Sequence, residues 1–364
     1  MPDLDVILAD LETLVTVESP SADVGRIRRS AEVLGALLDE RLGGITRLVD
    51  GPNGPHVHWS GGGAPRLLLV GHHDTVFPAG TLAARPFAVA DGRVTGPGVF
   101  DMKAGLVQAI HALASLDDRS GVELLVNSDE EIGSTTSRGL IEERAAACGA
   151  VLVLEPSADG GALKTGRKGT GTFEVLVHGR AAHAGLEPEK GINALVAAAE
   201  LIGRIATFGD PVTGTTVTPT VASAGTADNV VPAEARFSVD VRVVEPGEKE
   251  RVEALMASLA TTIEGAAIEV GGGIGRPPMH ESASATLFPL AVAAAERIGQ
   301  PVPVGIAVGG GSDGNFTAAI GVPTLDGLGA VGGGAHADHE HVLVDTLVPR
   351  TELLAALIAA ARTR

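Results

Sequence analysis

Acidic and histidine side chains follow three short apolar segments of this sequence. They are His72, His73 and Asp74 after the first segment, Glu130 and Glu131 after the second, and Glu155 after the third. If the segments are parallel strands of one sheet, their carboxyl ends share an edge, which is where open α/β sheets bind ligands. A histidine with several carboxylates is a typical donor set for a metal ion. The spacing therefore predicts a metal site at that edge.

The order of residues after the first segment indicates which histidine is the ligand. In an extended segment the side chains of His72 and Asp74 point the same way, and that of His73 points the other way. This parity favours His72 as a ligand whose second ring nitrogen donates to Asp74. We expect His73 to be structural.

Asp101 lies in the glycine-bounded segment 96–103, just before a predicted helix. Asp is favoured as an N-cap because its carboxylate accepts a backbone N–H and complements the helix dipole. A carboxylate at that position can also bridge two metal ions. Both roles stay open for Asp101.

Glu130 and Glu131 place two like charges at the end of a buried segment. Packing such a pair costs free energy unless a cation lies beside it, whereas a solvated turn would tolerate it. The position favours a division of roles, in which one Glu binds metal and its neighbour takes a proton from water.

Three further histidines, His336, His339 and His341, follow the glycine run 332–334. We expect one or two of them to be ligands. The alternative is an exposed histidine-rich loop.

The elements that must position these residues predict an α/β fold. Segments 66–71, 122–127 and 151–154 are continuous apolar runs of strand length, typical of strands buried on both faces. Residues 104–116 have helical spacing. This alternation predicts a mostly parallel sheet covered by helices.

A smaller unit is predicted from Gly169 onward. Its strands are expected near 172–177, 216–223, 235–244 and 267–270, and its helices at 193–208 and 248–264. The β-α-β-β-α-β order is that of a ferredoxin-like unit. Glycine-rich stretches 160–171 and 271–275 are predicted hinges, and a last helix is predicted at 351–364. We therefore expect a discontinuous larger domain, 1–168 and 280–364, around an inserted domain, 169–279.

Composition narrows the class of protein. A length of 364 residues favours two domains. The formal net charge of −18 argues against nucleic acid or an anionic membrane as a partner. The single cysteine, Cys148, excludes internal disulfides and leaves His, Asp and Glu as metal ligands. The acidic N-terminal segment is unlike a secretory signal, and no apolar run reaches the roughly 18–20 residues of a membrane span, so we expect a cytoplasmic protein.

Several spaced motifs together resemble a known family. They are GHHDTV, GPGVFDMKAG, NSDEEIGS, LEPS, GRAAHAG, GTADNVVPAEA, DVR, GGGSDG and AHADHEHV, in that order over residues 65–350. The chain resembles the dizinc metallopeptidases that include glutamate carboxypeptidases, aminoacylases, acetylornithine deacetylases and succinyl-diaminopimelate desuccinylases. Motif spelling favours the glutamate carboxypeptidase branch. The predicted insert resembles the lid and dimerisation domain of that family.

The resemblance implies a ligand set for two zinc ions, with cobalt or manganese as alternatives. One ion would be bound by His72 and Glu155, the other by Glu131 and His336. Asp101 would bridge the two ions.

The resemblance also implies catalytic roles. Glu130 would be the general base, and Asp74 would orient His72. His183 of the insert would stabilise the oxyanion from the partner subunit of a homodimer, with Asn229 as its companion.

A substrate carboxylate needs a local cation in so acidic a protein. Arg276 stands where glutamate carboxypeptidases keep such an arginine, and Arg242 is its predicted support. For Arg242 a surface ion pair is the alternative. The implied reaction is hydrolysis of an amide in a small peptide or N-acyl amino acid, releasing an amino acid that bears a carboxylate; an N-acyl-amino-acid deacylase is the alternative within the family.

Two readings of other classes compete. Gly310–Gly314 fits the GxSxG pattern, so Ser312 with His336 could form part of a serine hydrolase, but this leaves four of the acidic residues unexplained. A catalytically silent binding protein would be expected to have lost Glu130 or a ligand, and all of them are present.

Overall fold

Two units make up the part of the chain that the computed structural model describes, residues 3–21 and 23–363. The large unit comprises the chain up to Arg167, Glu281–Val308 and the chain from Ser312 onward. The insert unit comprises Lys168–His280 and Gly309–Gly311.

The large unit combines helices with a six-stranded sheet and two smaller sheets. Its helices are α1 (Leu4–Val15), α2 (Val24–Leu42), α3 (Thr81–Ala84), α4 (Ala104–Ala114), α5 (Arg138–Ala147), α8 (Phe288–Arg297), α9 (Gly314–Ala319) and α10 (Val344–Ala361). Its strands are β1 (Ile45–Val49), β2 (His56–Ser60), β3 (Leu67–His72), β4 (Ala88–Ala90), β5 (Arg93–Thr95), β6 (Val122–Asn127), β7 (Ala150–Val153), β8 (Leu163–Arg167), β13 (Gly305–Val308), β14 (Thr324–Leu325), β15 (Gly332–Gly333) and β16 (His341–Leu343).

The six-stranded sheet has the order β1-β2-β6-β3-β7-β14. Strands β6, β3, β7 and β14 run parallel, and β1 and β2 form an antiparallel edge. Every residue of β3, β6 and β7 is buried, as expected where helices cover both faces. The predicted mostly parallel α/β fold is confirmed, and each of these three strands starts and ends within one residue of its predicted position.

Alternate side chains of the central strands enter two separate cores. Leu69 and Leu124 pack in one core with residues of α1, α2, α4 and α10. Leu68 and Leu125 pack in the other core with residues of α5. The period of two along each strand thus fixes which way the residues after its end will point.

The insert unit contains one antiparallel sheet and two helices. Its elements are β9 (Gly169–His178), α6 (Ala194–Ile205), β10 (Thr216–Ala224), β11 (Glu234–Val243), α7 (Glu248–Ala257) and β12 (Ala267–Arg276). The strand order is β10-β11-β9-β12, and every neighbouring pair is antiparallel. This is the ferredoxin-like arrangement that the element order predicts.

Three local features differ from the prediction. The stretch 271–275 is part of strand β12, because glycines can join a backbone ladder without side chains. Much of 160–171 is likewise strand, in β8 and the start of β9, and the boundary between the two units lies within it, between Arg167 and Lys168. Helix α10 begins at Val344 and not near 351, because burial of Leu347 in the core holds the turn that precedes Pro349.

A small sheet of order β15-β16-β5-β4 places two loops side by side. β16 pairs with β5 in antiparallel register, His341 opposite Thr95. The loop 334–340 leads into β16, and the loop 96–103 leaves β5. These loops carry His336 and Asp101. Within the described ranges, no helix has the length and apolarity needed to cross a membrane.

Candidate metal centre

The carboxyl ends of β3, β6 and β7 bring the predicted residues together. Parallel pairing places His72 beside Asn127, so the Glu130–Glu131 turn begins next to the end of β3. Glu155 follows β7 on the other side. Ligand atoms of His72, Glu130 and Glu155 lie within 4.8 Å of one another, and those of His72, Asp101 and Glu131 form a second such group.

His72 is held so that one ring nitrogen faces the acidic cluster. Its Nδ1 lies 3.0 Å from the carbonyl oxygen of Asp74 and 3.3 Å from Asp74 Oδ1. These acceptors favour a proton on Nδ1, which leaves the Nε2 lone pair available. Nε2 lies 3.3 Å from Asp101 Oδ1 and 3.6 Å from Glu155 Oε1.

His73 points away from this cluster, as its parity predicts. Its Nδ1 lies 3.1 Å from Ser30 Oγ, and its Nε2 lies 3.2 Å from the carbonyl oxygen of Pro55. Burial lowers the pKa of His73 to about 4, so the imidazole is neutral at pH 7. The residue is a satisfied core histidine.

Asp101 presents its two carboxylate oxygens to different histidines. Oδ1 faces His72 Nε2, and Oδ2 lies 3.3 Å from His336 Nε2. The role of helix cap is wrong, because α4 begins at Ala104 with Lys103 in the cap position. The Asp101–Met102 peptide bond is cis. A carboxylate that divides its oxygens between two groups of donors has the arrangement of a bridging ligand.

His336 joins the second group of donors. Its Nε2 lies 3.2 Å from Glu131 Oε2. His339 and His341 lie outside the cluster, and the Nδ1 of His341 is 3.0 Å from the carbonyl oxygen of His339. His336 has a positive φ of 63°, a conformation that non-glycine residues seldom adopt, so the tight turn at this point directs the imidazole toward Asp101.

Asp74 has a second role that the sequence did not indicate. Its carboxylate accepts the backbone N–H groups of Glu130 and Glu131, each at 3.2 Å, and the hydroxyl of Ser21 at 2.6 Å. One fully buried side chain therefore orients His72 and also fixes the turn that carries both glutamates.

The electrostatics of the cluster fit a positive ion. Hydrogen bonds that His336 donates to Asp101 and Glu131 raise the pKa of His336 to about 10, because the carboxylates favour positive charge there. Burial alone would lower the pKa of His72, but Asp101, Asp74 and Glu155 raise it well above its ordinary value. Glu131 Oε1 is buried without a hydrogen-bond partner among the described residues. Imidazole nitrogens and carboxylate oxygens in this number suit two divalent ions such as zinc.

Ser312 occupies a different environment from that of a nucleophile. It is fully buried, and its hydroxyl donates to Asp326 Oδ2 at 2.6 Å. Asp326 also accepts from Arg167, whose Nη2 lies 3.5 Å from Glu155 Oε2. Ser312 of the GGGSDG motif is thus linked to Glu155 through Asp326 and Arg167. These residues are far apart in the sequence, so no local pattern predicted their contacts.

His183 and Asn229 are neighbours within the insert unit. The N–H of Ala184 donates to the carbonyl of Asn229 at 2.9 Å. His183 Nδ1 accepts the N–H groups of Gly185 at 3.1 Å and Leu186 at 3.2 Å. Because Nδ1 is an acceptor, a neutral His183 carries its proton on Nε2, which makes the exposed edge of this ring a hydrogen-bond donor.

Arg242 and Arg276 lie in one row across the insert sheet. Both pair with Thr170, Arg242 from β11 and Arg276 from β12, so the three side chains share a sheet face. Arg276 is 8% exposed. Arg242 forms an ion pair with Asp240 of its own strand at 2.9 Å. This contact matches the alternative prediction of an ion pair and not the predicted support of Arg276.

Comparisons with known proteins agree with this architecture. The sequence matches the model of peptidase family M20/M25/M40 over residues 68–360. It is 33% identical to carboxypeptidase G2 of Pseudomonas sp. (strain RS-16), over 96% of this chain and 88% of that protein. It is 29% identical to a succinyl-diaminopimelate desuccinylase of Acidiphilium cryptum (strain JF-5), over 81% of each chain.

The fold is also found in solved structures. A tripeptidase from Staphylococcus aureus superposes with a TM-score of 0.83 at 22% identity, covering 100% of both chains. The family model spans most of this chain, including each of the histidines and carboxylates gathered at the strand ends. The chain therefore belongs to peptidase family M20/M25/M40 and is a metal-dependent hydrolase.

Proposed function

We propose that this protein is a two-zinc peptidase of the glutamate carboxypeptidase type, which cleaves an amide bond and releases an amino acid bearing a free carboxylate. The observation that carries the proposal is the division of the Asp101 oxygens between His72 and His336. His72, Glu155 and Asp101 would hold one ion, and Glu131, His336 and Asp101 the other. Bound zinc would supply Lewis-acid activation of water and of the substrate carbonyl, and cobalt or manganese would suit the same donors.

Glu130 is the group proposed to move the proton. It lies with His72 and Glu155, and the adjacent Glu131 faces His336. Its carboxylate would accept a proton from the attacking water and deliver it to the leaving nitrogen. Asp74 maintains the position of Glu130 by accepting its backbone N–H.

His183 is proposed to stabilise the developing oxyanion through its Nε2 proton, with Asn229 beside it. Support comes from the two backbone N–H groups that Nδ1 accepts, since they fix the donor on the other nitrogen. We further propose that the protein is a homodimer and that each insert supplies this pair to the partner subunit.

Arg276 is proposed to bind the substrate carboxylate. A guanidinium binds a carboxylate through two parallel N–H donors, and this one stands in a chain with a formal net charge of −18. The 33% identity to carboxypeptidase G2 also supports a substrate that bears a free carboxylate.

An N-acyl-amino-acid deacylase is the second candidate. The observation that favours it is the 29% identity to a succinyl-diaminopimelate desuccinylase, which has a similar share of its length matched. Comparing N-acyl-glutamates, dipeptides and N-succinyl amino acids as substrates of the zinc-loaded enzyme separates the two candidates. A preference for N-succinyl substrates over glutamate-releasing ones would replace the first candidate with the second.

The test of the proposed reaction is Glu130→Ala. Removing the base but no ligand should leave two metal ions per chain while lowering kcat by roughly 10²- to 10⁴-fold. Metal analysis and steady-state kinetics measure both quantities. Ser312→Ala is the control for the alternative of a serine hydrolase. Labelling of wild-type Ser312 by an active-serine reagent, together with full activity after chelation, would overturn the zinc proposal.

A further inference from the structure

Glu340 is a buried carboxylate to which neither the sequence motifs nor the proposed reaction gives a role. Its side chain is 1% exposed. Oε2 accepts the N–H of Gly98, and Oε1 accepts the N–H groups of Phe100 and Asp101, each at 2.9 Å. With both oxygens engaged by backbone donors, Glu340 is oriented toward the loop and not toward the metal cluster.

The same residue ends the loop that carries His336. Its backbone N–H donates to the carbonyl of Ala337 at 3.1 Å, which closes the turn just after His336. Arg85 Nη1 donates to that carbonyl at 2.8 Å, while its guanidinium lies 4.5 Å from the centre of the Phe77 ring. Glu340 therefore joins the His336 loop through its backbone and the Asp101 loop through its side chain.

The packing leaves little freedom at this junction. Gly334 has a φ of 75°, and a Cβ there would lie 3.0 Å from the backbone N and Cα of Glu340. The flanking strands are also paired, His341 opposite Thr95. Glu340 is thus closely packed against its own loop while its side chain binds the loop that carries Asp101.

We propose that Glu340 is a positioning residue that sets the distance between Asp101 and His336 and so determines the affinity of the second metal position, formed by Asp101, His336 and Glu131. The first position shares Asp101 but takes its other ligands, His72 and Glu155, from strand ends that these Glu340 hydrogen bonds do not reach. Both loops that Glu340 joins, in contrast, supply ligands to the second position. The inference rests on the proposed two-metal centre. It predicts an unequal effect, in which the second binding event is weakened more than the first.

The experiment is a titration of metal-free protein with Co²⁺. Binding is measured by calorimetry and by the visible absorption of bound cobalt. In Glu340→Gln an amide NH₂ replaces one acceptor oxygen, so at least one loop N–H loses its partner. We expect the second binding event to weaken about 10- to 100-fold, the first to weaken less, and the cobalt spectrum of the second position to change. Glu340→Asp, which keeps the charge but shortens the reach, should weaken the second event as well.

Glu123→Gln is the matched control. Glu123 is also buried in the large unit, where it pairs with Arg144 at the start of β6. The Glu123→Gln substitution should lower the unfolding temperature without changing the affinity of either metal position for Co²⁺. Wild-type affinities in both Glu340 variants, or equal weakening in Glu123→Gln, would overturn the inference. Wild-type protein that binds fewer than two ions would instead refute the proposed metal centre itself.

Discussion

At the scale of single residues, neighbouring side chains of the same type have different fates. His72 and His73 are both nearly fully buried, at 1% and 2% exposure, yet one faces the acidic cluster and the other faces Ser30 and Pro55. The alternation of an extended chain is sufficient to predict this difference. The local pattern does not distinguish Glu130 from Glu131, because side chains in a turn do not alternate regularly. Only the resemblance to a family implies different roles for them.

Replacing each of these histidines by Ala should separate binding from stability. His72→Ala should remove metal, because it deletes a ligand. His73→Ala should retain metal and cost about 1–3 kcal/mol of unfolding free energy, because a buried carbonyl and hydroxyl lose their partner. Metal content and urea unfolding measure the two effects. Loss of metal from folded His73→Ala would show that the parity argument is incorrect.

At the scale of elements, the metal centre depends on how closely α4 approaches β7. Gly105, in the first turn of α4, is the point of contact: a Cβ there would lie 2.2 Å from the carbonyl oxygen of Leu154. Leu154 directly precedes Glu155, and Asp101 lies three residues before the start of α4. A glycine at this position lets the segments that carry Asp101 and Glu155 approach each other.

Two glycine substitutions in helices should therefore have opposite effects. Gly105→Ala should force α4 away from β7, lowering both the unfolding temperature and the affinity for metal. Gly139→Ala, at an exposed position of helix α5 with nothing within 4 Å of the added Cβ, should stabilise the protein by about 0.5–1 kcal/mol. Thermal unfolding with and without zinc tests both. A neutral Gly105→Ala would mean that the helix position does not constrain the ligands.

The strands were predictable because continuous apolar runs leave few alternatives, whereas features that depend on tertiary contacts were not. Strand β12 continues through Gly271–Gly275 only because β9 supplies a partner backbone. The bonds from Asp74 to the Glu130 turn and from Glu340 to Gly98 join residues that are distant in sequence. No local pattern marks such a pairing.

At the scale of the whole molecule, the residues proposed to bind metal are concentrated in one unit. The histidines and carboxylates of the cluster all belong to the large unit, and the insert unit has its own core around Phe173 and Phe237. Each unit therefore has an independent source of stability. Metal binding should contribute to only one of them.

Removal of metal should accordingly destabilise the large unit selectively. Ligand binding adds about 2.7 kcal/mol at a free concentration of 100 Kd, and this contribution disappears on chelation. Hydrogen exchange should increase in β3, β6 and the loop 96–103, and remain unchanged in β9 and β11. Restored protection after zinc is returned is the control, while equal loss of protection in the insert would contradict two independent cores.

The discontinuity of the large unit also affects the order in which the protein can be completed during synthesis. His72, Asp101, Glu131 and Glu155 all leave the ribosome before the insert, whereas β14, His336, Glu340 and α10 follow it. At 5–20 residues per second the interval is on the order of ten seconds. The insert can fold during that time, but β7 lacks its β14 neighbour and Asp101 lacks the loop that Glu340 holds. A growing chain therefore displays an acidic half-site before the second position exists, and complete metal loading belongs to the last stage of its maturation.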